Sequence, residues 1–207
     1  MKIWKSNFWI LLCSVLVLLN IYSLYQKNEI AEGFNEELNT LKTAYESNFQ
    51  SLLNRMRIQF DNEGIVIDKE TELVPDYDEG KKIKLKELVQ NKWMLVLNFS
   101  EITCKSCVES EIEKIKEISN EIGSENVLIL SSYERNSDLL IFKRLNKLNL
   151  PIYNRKGENL GLQIDYSNAN VFLLNSASYK TELFFIADKE APKLSEKYYS
   201  TVKRYFE

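Results

Sequence analysis

An apolar run at residues 93–99 constrains the fold of this chain more than any other feature. Only Asn98 interrupts the run, so it has the length and near-continuous apolarity of a strand that is buried on both faces. Apolar residues then recur at helical spacing over residues 108–122, and Gly123 closes that helix. A buried strand followed directly by a helix predicts a parallel or mixed sheet that helices cover.

The rest of the globular part, residues 63–207, continues this alternation. The predicted strands lie at residues 65–67, 93–99, 127–130, 171–174 and 183–186, and the last two form a β-hairpin. The predicted helices lie at 85–89, 108–122, 137–148 and from 192 onward, and the helix at 137–148 is expected to bury Leu140, Ile141, Leu145 and Leu148. The predicted fold class is therefore α/β, a central mixed sheet with helices on both faces.

The N-terminus carries a second apolar run, residues 8–25, which only isolated polar residues interrupt. As a helix it would span roughly 27 Å, just enough for the hydrocarbon core of a bilayer. Lys2 and Lys5 precede the run, and no small-residue cleavage site follows it. Residues 1–27 are therefore predicted to be a transmembrane anchor, with the rest of the chain outside the bacterial cytoplasmic membrane. A cleaved signal peptide is the alternative.

Residues 28–62 have the pattern of a long amphipathic helix, here called the stalk. The segment contains no proline, and apolar side chains recur about every 3.7 residues. This stripe consists of Ile30, Phe34, Leu38, Leu41, Tyr45, Phe49, Leu52 and Met56. It is expected either to pack on the chain's own globular domain or to join two stalks in a dimer.

Composition excludes several functional classes. The chain has no histidine, which removes Ser–His and Cys–His nucleophile pairs and every histidine-based metal site. A formal net charge of −3 provides no basic field for nucleic acid. Of the three cysteines, Cys13 lies in the apolar run and is interpreted as a small apolar filler, which leaves Cys104 and Cys107. Structural zinc normally takes four protein ligands, and only these two cysteines are available, so no metal is expected. No cofactor is expected either.

Cys104 and Cys107 come where the buried strand ends and its helix begins. At a helix N-terminus, unpaired N–H groups and the helix dipole favour a thiolate, the form that attacks disulfides, and Lys105 adds a positive charge. We therefore expect the pKa of Cys104 to lie below its usual value of about 8.5. Cys107, one helical turn further on, can reach the first sulfur and resolve a mixed disulfide. A purely structural disulfide is the alternative.

Residues 96–107, together with the following helix, the later hairpin and the last helix, resemble the thioredoxin superfamily. Within it, the membrane-anchored extracytoplasmic redoxins of the TlpA/ResA type are most similar, over roughly residues 83–206. The resemblance implies a thioredoxin-like fold, with Cys104 as the attacking cysteine and Cys107 as the resolving one. It also implies partners, namely extracytoplasmic protein thiols or disulfides and a membrane electron donor or acceptor.

Two positions depart from that family. Its members carry a cis-proline before the first hairpin strand, and Ala169 takes this position here, so an altered substrate-docking edge is expected. Thioredoxins also bury an acid beneath the motif to handle the proton of the resolving thiol. Asn98 takes that position and cannot accept a proton, and Glu101 is the nearest carboxylate that could substitute for it.

These features favour a membrane-anchored thiol–disulfide oxidoreductase that acts on extracytoplasmic proteins through Cys104 and Cys107. One alternative is a non-enzymatic module, a thioredoxin-like domain on a stalk that binds a partner or senses redox state. A peroxidase of the peroxiredoxin kind is another. Such enzymes place a threonine two or three residues before the reactive cysteine, and Thr103 lies too close to Cys104 for that role.

Overall fold

The structure is a computed structural model that describes residues 2–155, 160–164, 167–188 and 191–207, with side chains from Ser14 onward. The chain divides into two compact units, Met1–Leu53 and Asn54–Glu207. The second unit contains the sheet, Cys104 and Cys107.

The long helix expected from the stalk pattern is present, and helix α1 runs Lys2–Asn62. Its stripe is exposed, from 42% at Met56 to 71% at Ile30, and what covers these side chains stays a prediction. Where side chains are described, no helix is apolar enough over a sufficient length to cross a membrane. The first part of the predicted span, residues 8–13, lies outside those residues, so the anchor also stays a prediction.

The last turns of α1 belong to the second unit, where the buried Asn62 fixes the end of the helix. Its Nδ2 donates to the Gln163 carbonyl at 3.1 Å, and its Oδ1 accepts the Gln163 N–H at 2.6 Å. The Thr181 hydroxyl donates to the Asn62 carbonyl. Gly64 then ends the helix as predicted, with a φ of 76° in the left-handed region that favours glycine.

The segment after α1 protects one edge of the sheet. Residues 65–67, predicted as a strand, contribute only an isolated bridge at Val66. The carboxylate of Glu63 accepts the N–H groups of Leu183 at 3.0 Å and Phe184 at 2.9 Å. Because unpaired edge N–H groups are a template for wrong strand pairing, these contacts protect the outer strand of the hairpin.

In the described part of the chain, the strands are β1 (Glu72–Pro75), β2 (Ile83–Lys84), β3 (Trp93–Ser100), β4 (Val127–Ser132), β5 (Ile152–Asn154), β6 (Asn170–Asn175) and β7 (Thr181–Ile186). They form one sheet in the order β2-β1-β5-β4-β3-β6-β7. β3 and β5 run parallel to β4, whereas β6 is antiparallel to β3 and β7, and β1 is antiparallel to β2 and β5. The predicted mixed α/β sheet is confirmed, although β1, β2 and β5 were not predicted.

The helices of the second unit after α1 are α2 (Leu85–Leu88), α3 (Lys105–Ile122), α4 (Asn136–Leu145) and α5 (Pro192–Val202), with 3₁₀ turns at Ser124–Asn126 and Lys203–Tyr205. Helices α3, α4 and α5 share one core with Leu95, Leu97 and Phe99 of β3. The other face packs on α2, on Ile58 of α1 and on residues 160–164. Helices α3 and α4 share a face because the β3–α3–β4 and β4–α4–β5 crossovers move the same way across the sheet with the same hand.

The predicted buried stripe of the helix at 137–148 is confirmed for Leu148, which is 3% exposed in the core, but it is wrong for Ile141 and Leu145. Ile141 and Leu145 are 53% and 66% exposed, whereas Leu139 and Phe142 face the core. Residues 139–142 are all apolar, so the sequence alone left the orientation of this helix open. The helix also ends earlier than predicted, at Leu145.

Candidate active site

The candidate site lies where β3 ends and α3 begins. Ser100 and Thr103 close a tight turn, in which the Thr103 hydroxyl accepts the Ser100 N–H at 2.8 Å and the Thr103 N–H donates to the Ser100 carbonyl at 3.1 Å. Cys104 follows as the N-cap of α3, and its carbonyl accepts the N–H groups of Cys107 at 3.0 Å and Val108 at 3.1 Å. Cys104 therefore stands at the positive end of the α3 dipole.

The two sulfur atoms are adjacent but differ in accessibility. Sγ of Cys107 lies 2.7 Å from Sγ of Cys104, and the Ser106 hydroxyl lies 3.4 Å from Cys104 Sγ. Cys107 is buried at 6% exposure, whereas Cys104 is partly exposed. A partner can thus reach Cys104 from solvent while Cys107 stands behind it, the order that attack and resolution require.

The loop before β6 passes directly beside Cys104. The Cys104 N–H donates to the Ser167 carbonyl at 2.9 Å. Ala169 is fully buried, and its carbonyl accepts the Ala187 N–H at 2.9 Å. Every peptide bond of the described residues is trans. Ala169 was expected near the site through the family resemblance, but Ser167 was missed because its contact uses backbone atoms and leaves no side-chain signal.

Asn98 is buried in β3, but it lies on the face of the sheet opposite α3. Leu97 and Phe99 pack in the core that contains α3, and side chains alternate along a strand, so Asn98 faces the other core. Its Nδ2 donates to Oδ1 of Asn170, its partner in register on β6, at 3.1 Å. Among the described residues, Asn98 Oδ1 and Asn170 Nδ2 find no hydrogen-bond partner. The pair offers no titratable group to the dithiol.

The two predicted supporting charges are both exposed. The Nζ of Lys105 lies 3.8 Å from the carboxylate of Glu109, one turn further along α3. The carboxylate of Glu101 accepts the Glu134 N–H at 3.3 Å. The structure therefore pairs both charges with groups other than the two sulfurs.

A buried carboxylate that the sequence analysis missed lies on α3, four residues after Cys107. Glu111 is 1% exposed, and it accepts bonds from the Tyr199 hydroxyl at 2.7 Å and the Ser195 hydroxyl at 2.9 Å, with Lys114 Nζ at 2.8 Å. Burial, and then the negative charge of Glu111, raise the pKa of Tyr199 well above its usual value. These contacts tie α3 to α5. A glutamate among the isoleucines of a predicted helix was the available signal, because charged residues are rarely buried unless paired.

No family model matches the sequence, and no curated protein matches it. Solved structures do match. The thioredoxin domain of a thiol-disulfide oxidoreductase from Bacteroides vulgatus is similar with a TM-score of 0.51 at 12% identity, over 69% of this chain and 99% of that one. The chain has a thioredoxin-like fold.

Peroxiredoxins have the same fold and are similar to a comparable degree. A peroxiredoxin Q from Xylella fastidiosa has a TM-score of 0.52 at 12% identity, over 70% of this chain and 98% of its own. A peroxiredoxin Q from Xanthomonas campestris has a TM-score of 0.51 at 13% identity, over 70% and 99%. At these identities the thioredoxin-like likeness concerns the fold, and the chemistry has to be argued from the site.

Proposed function

We propose that this chain is a thiol–disulfide oxidoreductase that uses Cys104 and Cys107 on the thiols or disulfides of extracytoplasmic proteins. The observation that carries the proposal is a partly exposed sulfur at a helix N-terminus with a buried sulfur 2.7 Å from it. The helix N-terminus favours the thiolate of Cys104, which is the nucleophile of disulfide exchange.

In the reducing direction, the Cys104 thiolate attacks one sulfur of the partner's disulfide. A disulfide between Cys104 and the partner forms, the partner's own S–S bond breaks, and its second sulfur leaves as a thiolate. Cys107 then loses its proton to solvent, and its thiolate attacks Cys104 Sγ, which releases the partner's first sulfur. A Cys104–Cys107 disulfide remains, and two electrons have passed to the partner. A thiol reductant at the membrane then supplies two electrons to the Cys104–Cys107 disulfide and restores the dithiol. The oxidising direction is the reverse of these steps.

The membrane anchor and the extracytoplasmic location are part of this proposal. The apolar run at residues 8–25, with Lys2 and Lys5 before it, supports both. The apolar stripe in the sequence of the stalk is compatible with a stalk-mediated dimer, because two amphipathic helices can cover each other's apolar faces.

Alkaline phosphatase fused to the C-terminus of the full-length chain should be active in a bacterial host, because this reporter works only outside the cytoplasm. The fusion should also stay in the membrane pellet at high salt, since an apolar span is not released by screening charges. A Lys2→Glu, Lys5→Glu variant, which removes the positive charges before the run, should lower phosphatase activity. An inactive fusion would reverse the orientation, and a shorter soluble product would identify a cleaved signal peptide.

A non-enzymatic redox-sensing or binding module is the second candidate, and the loop beside Cys104 favours it. Strand-like docking of an extended peptide needs open backbone groups. Here the Ser167 carbonyl already accepts the Cys104 N–H, and the Ala169 carbonyl accepts the Ala187 N–H.

The reduction potential of the dithiol separates the two candidates. Full-length Cys13→Ala protein in detergent, equilibrated with glutathione redox buffers, should show one two-electron transition at Cys104 and Cys107. We expect the potential to lie above about −300 mV, the upper limit typical of structural disulfides. A value well below that limit would favour the static module. Oxidation by hydrogen peroxide far faster than by disulfides would instead favour a peroxidase.

A further inference from the structure

A groove lies between the start of α3 and α4, next to the dithiol. Thr103 and Lys105, the two residues that flank Cys104, both line it. Its apolar lining residues include Val108, Ile141, Phe142 and Leu145, and its charged ones are Glu101, Lys105 and Asp138. The volume is about 220 Å³. Pockets for drug-sized ligands span roughly 300–1,000 Å³, so the groove suits one or two side chains rather than a free cofactor.

The apolar side of the groove is left open by the fold. Ile141 is 53% and Leu145 66% exposed, because α4 turns Leu139 and Phe142 to the core instead. Ile102, two residues before Cys104, is 75% exposed. Single exposed apolar residues are ordinary, but several around a pocket beside a reactive group mark an interaction surface.

Packed aromatic side chains provide part of the groove's lining, namely Tyr133 and Phe142. Phe99, Tyr133 and Phe142 make an aromatic cluster with ring centroids 5.2–6.3 Å apart. Burial, and then the charges of Glu101 and Asp138, raise the pKa of Tyr133 to about 12. Tyr133 and Phe142 therefore add neutral aromatic surface to the groove, against which an apolar side chain can pack, while Glu101, Lys105 and Asp138 contribute charged groups to the same lining.

A disulfide bond to Cys104 limits where the partner's polypeptide chain can lie. In a disulfide the two Cα atoms lie about 4.4–6.8 Å apart, and an extended chain advances about 3.3 Å per residue. A polypeptide joined to Cys104 therefore places residues two or three positions from its own cysteine within reach of the groove. The loop that contains Ser167 also contacts Cys104, through the Cys104 N–H, and Ser167 does not line the groove.

We propose that this groove selects the partner, and that it receives a large aliphatic or aromatic side chain two or three positions from the partner's reactive cysteine. The proposal rests on the proposed exchange activity and names its substrate class, a polypeptide with an apolar residue beside its cysteine. The groove then acts in binding, before disulfide exchange, because it holds the partner's cysteine next to Cys104.

The test uses the full-length chain in detergent, carrying Cys13→Ala and Cys107→Ser so that adducts at Cys104 persist. The probes are glycine peptides with one cysteine capped as a disulfide with thionitrobenzoate, and with leucine or serine two or three positions from that cysteine. The Cys104 thiolate attacks the peptide sulfur, a Cys104–peptide disulfide forms, and the thionitrobenzoate thiolate leaves and is followed by its absorbance. The leucine peptide should react about tenfold faster than the serine peptide, as expected for burial of one leucine.

An Ile141→Ser, Leu145→Ser variant should bring this ratio close to one. Leu194→Ser is the matched control, because Leu194 is 54% exposed, lies on α5 and does not line the groove. It should keep the tenfold ratio. Loss of the ratio in the control as well would overturn the proposal, since the preference would not come from the groove.

Two further outcomes separate this proposal from the proposed function. If the protein with Cys13→Ala and Cys107→Ser alone forms adducts normally but reacts with the leucine and serine peptides at similar rates, the proposed role of the groove would be overturned. The proposed exchange activity would still stand. No reaction with either peptide or with a small aromatic disulfide would overturn both. If the Ile141→Ser, Leu145→Ser variant instead dissociates a dimer in sedimentation, the occupant is a second copy of the chain and the proposal is wrong.

Discussion

A Cys107→Ser protein should accumulate mixed disulfides with its partners in cells, whereas a Cys104→Ser protein should form none. The buried Cys107 sulfur lies 2.7 Å from Cys104 Sγ, so resolution is an intramolecular attack. Well-oriented intramolecular groups reach effective concentrations on the order of 10⁵ M or more. Without that sulfur, release depends on uncatalysed rearrangement, which takes minutes to hours. Adducts should be captured by acid quenching and seen as reducible bands on gels.

The control for this experiment is Cys13→Ala, which should change neither pattern because the sequence places Cys13 in the apolar run. Adducts at Cys107 in the Cys104→Ser protein would mean that Cys107 attacks and Cys104 resolves. If neither single variant forms adducts, while the protein with both cysteines has the expected reduction potential, the result would support the redox-sensing module. The outcome therefore separates an enzyme from a sensor with the same fold.

The centre of the domain could be predicted because its signals are local. The run at residues 93–99 and the isoleucines after Val108 give β3 and α3 with little error, and the cysteines lie at their junction. The strands β1 and β2, at one edge of the sheet, could not be predicted in this way. β1 ends in Pro75 and β2 contains only Ile83 and Lys84, and such short segments show no periodicity.

Residue positions across the sheet were harder to predict than elements. Asn98 was matched to a family position by its offset from Cys104, but its contact with Asn170 depends on the pairing register of β3 and β6. Register is a tertiary property that neither strand shows by itself. The same holds for Ile141, whose orientation depends on which side of α4 meets the sheet.

Glu111→Ala should be the most destabilising single change among the polar residues of α3. It leaves the hydroxyls of Tyr199 and Ser195 and the Lys114 ammonium without their carboxylate, and both hydroxyl-bearing residues are buried. Removing one partner of a buried charged network costs about 3–5 kcal/mol. For a domain of this size that corresponds to a fall in Tm of roughly 10 °C, measured by circular dichroism. Glu111→Gln keeps an acceptor oxygen and should lose less.

Glu113→Ala is the matched control on the same helix. Glu113 pairs with Lys116 at 2.6 Å, but its side chain is 64% exposed, and exposed pairs contribute about 0–1 kcal/mol. A double-mutant cycle of Glu111→Ala with Tyr199→Phe should show coupling, since the two side chains share a hydrogen bond. If Glu111→Ala costs no more than Glu113→Ala, the contacts between α3 and α5 do not hold the helix that carries Cys104. The orientation of the dithiol would then depend on the apolar contacts of Val108 and Ile112 with β3 instead.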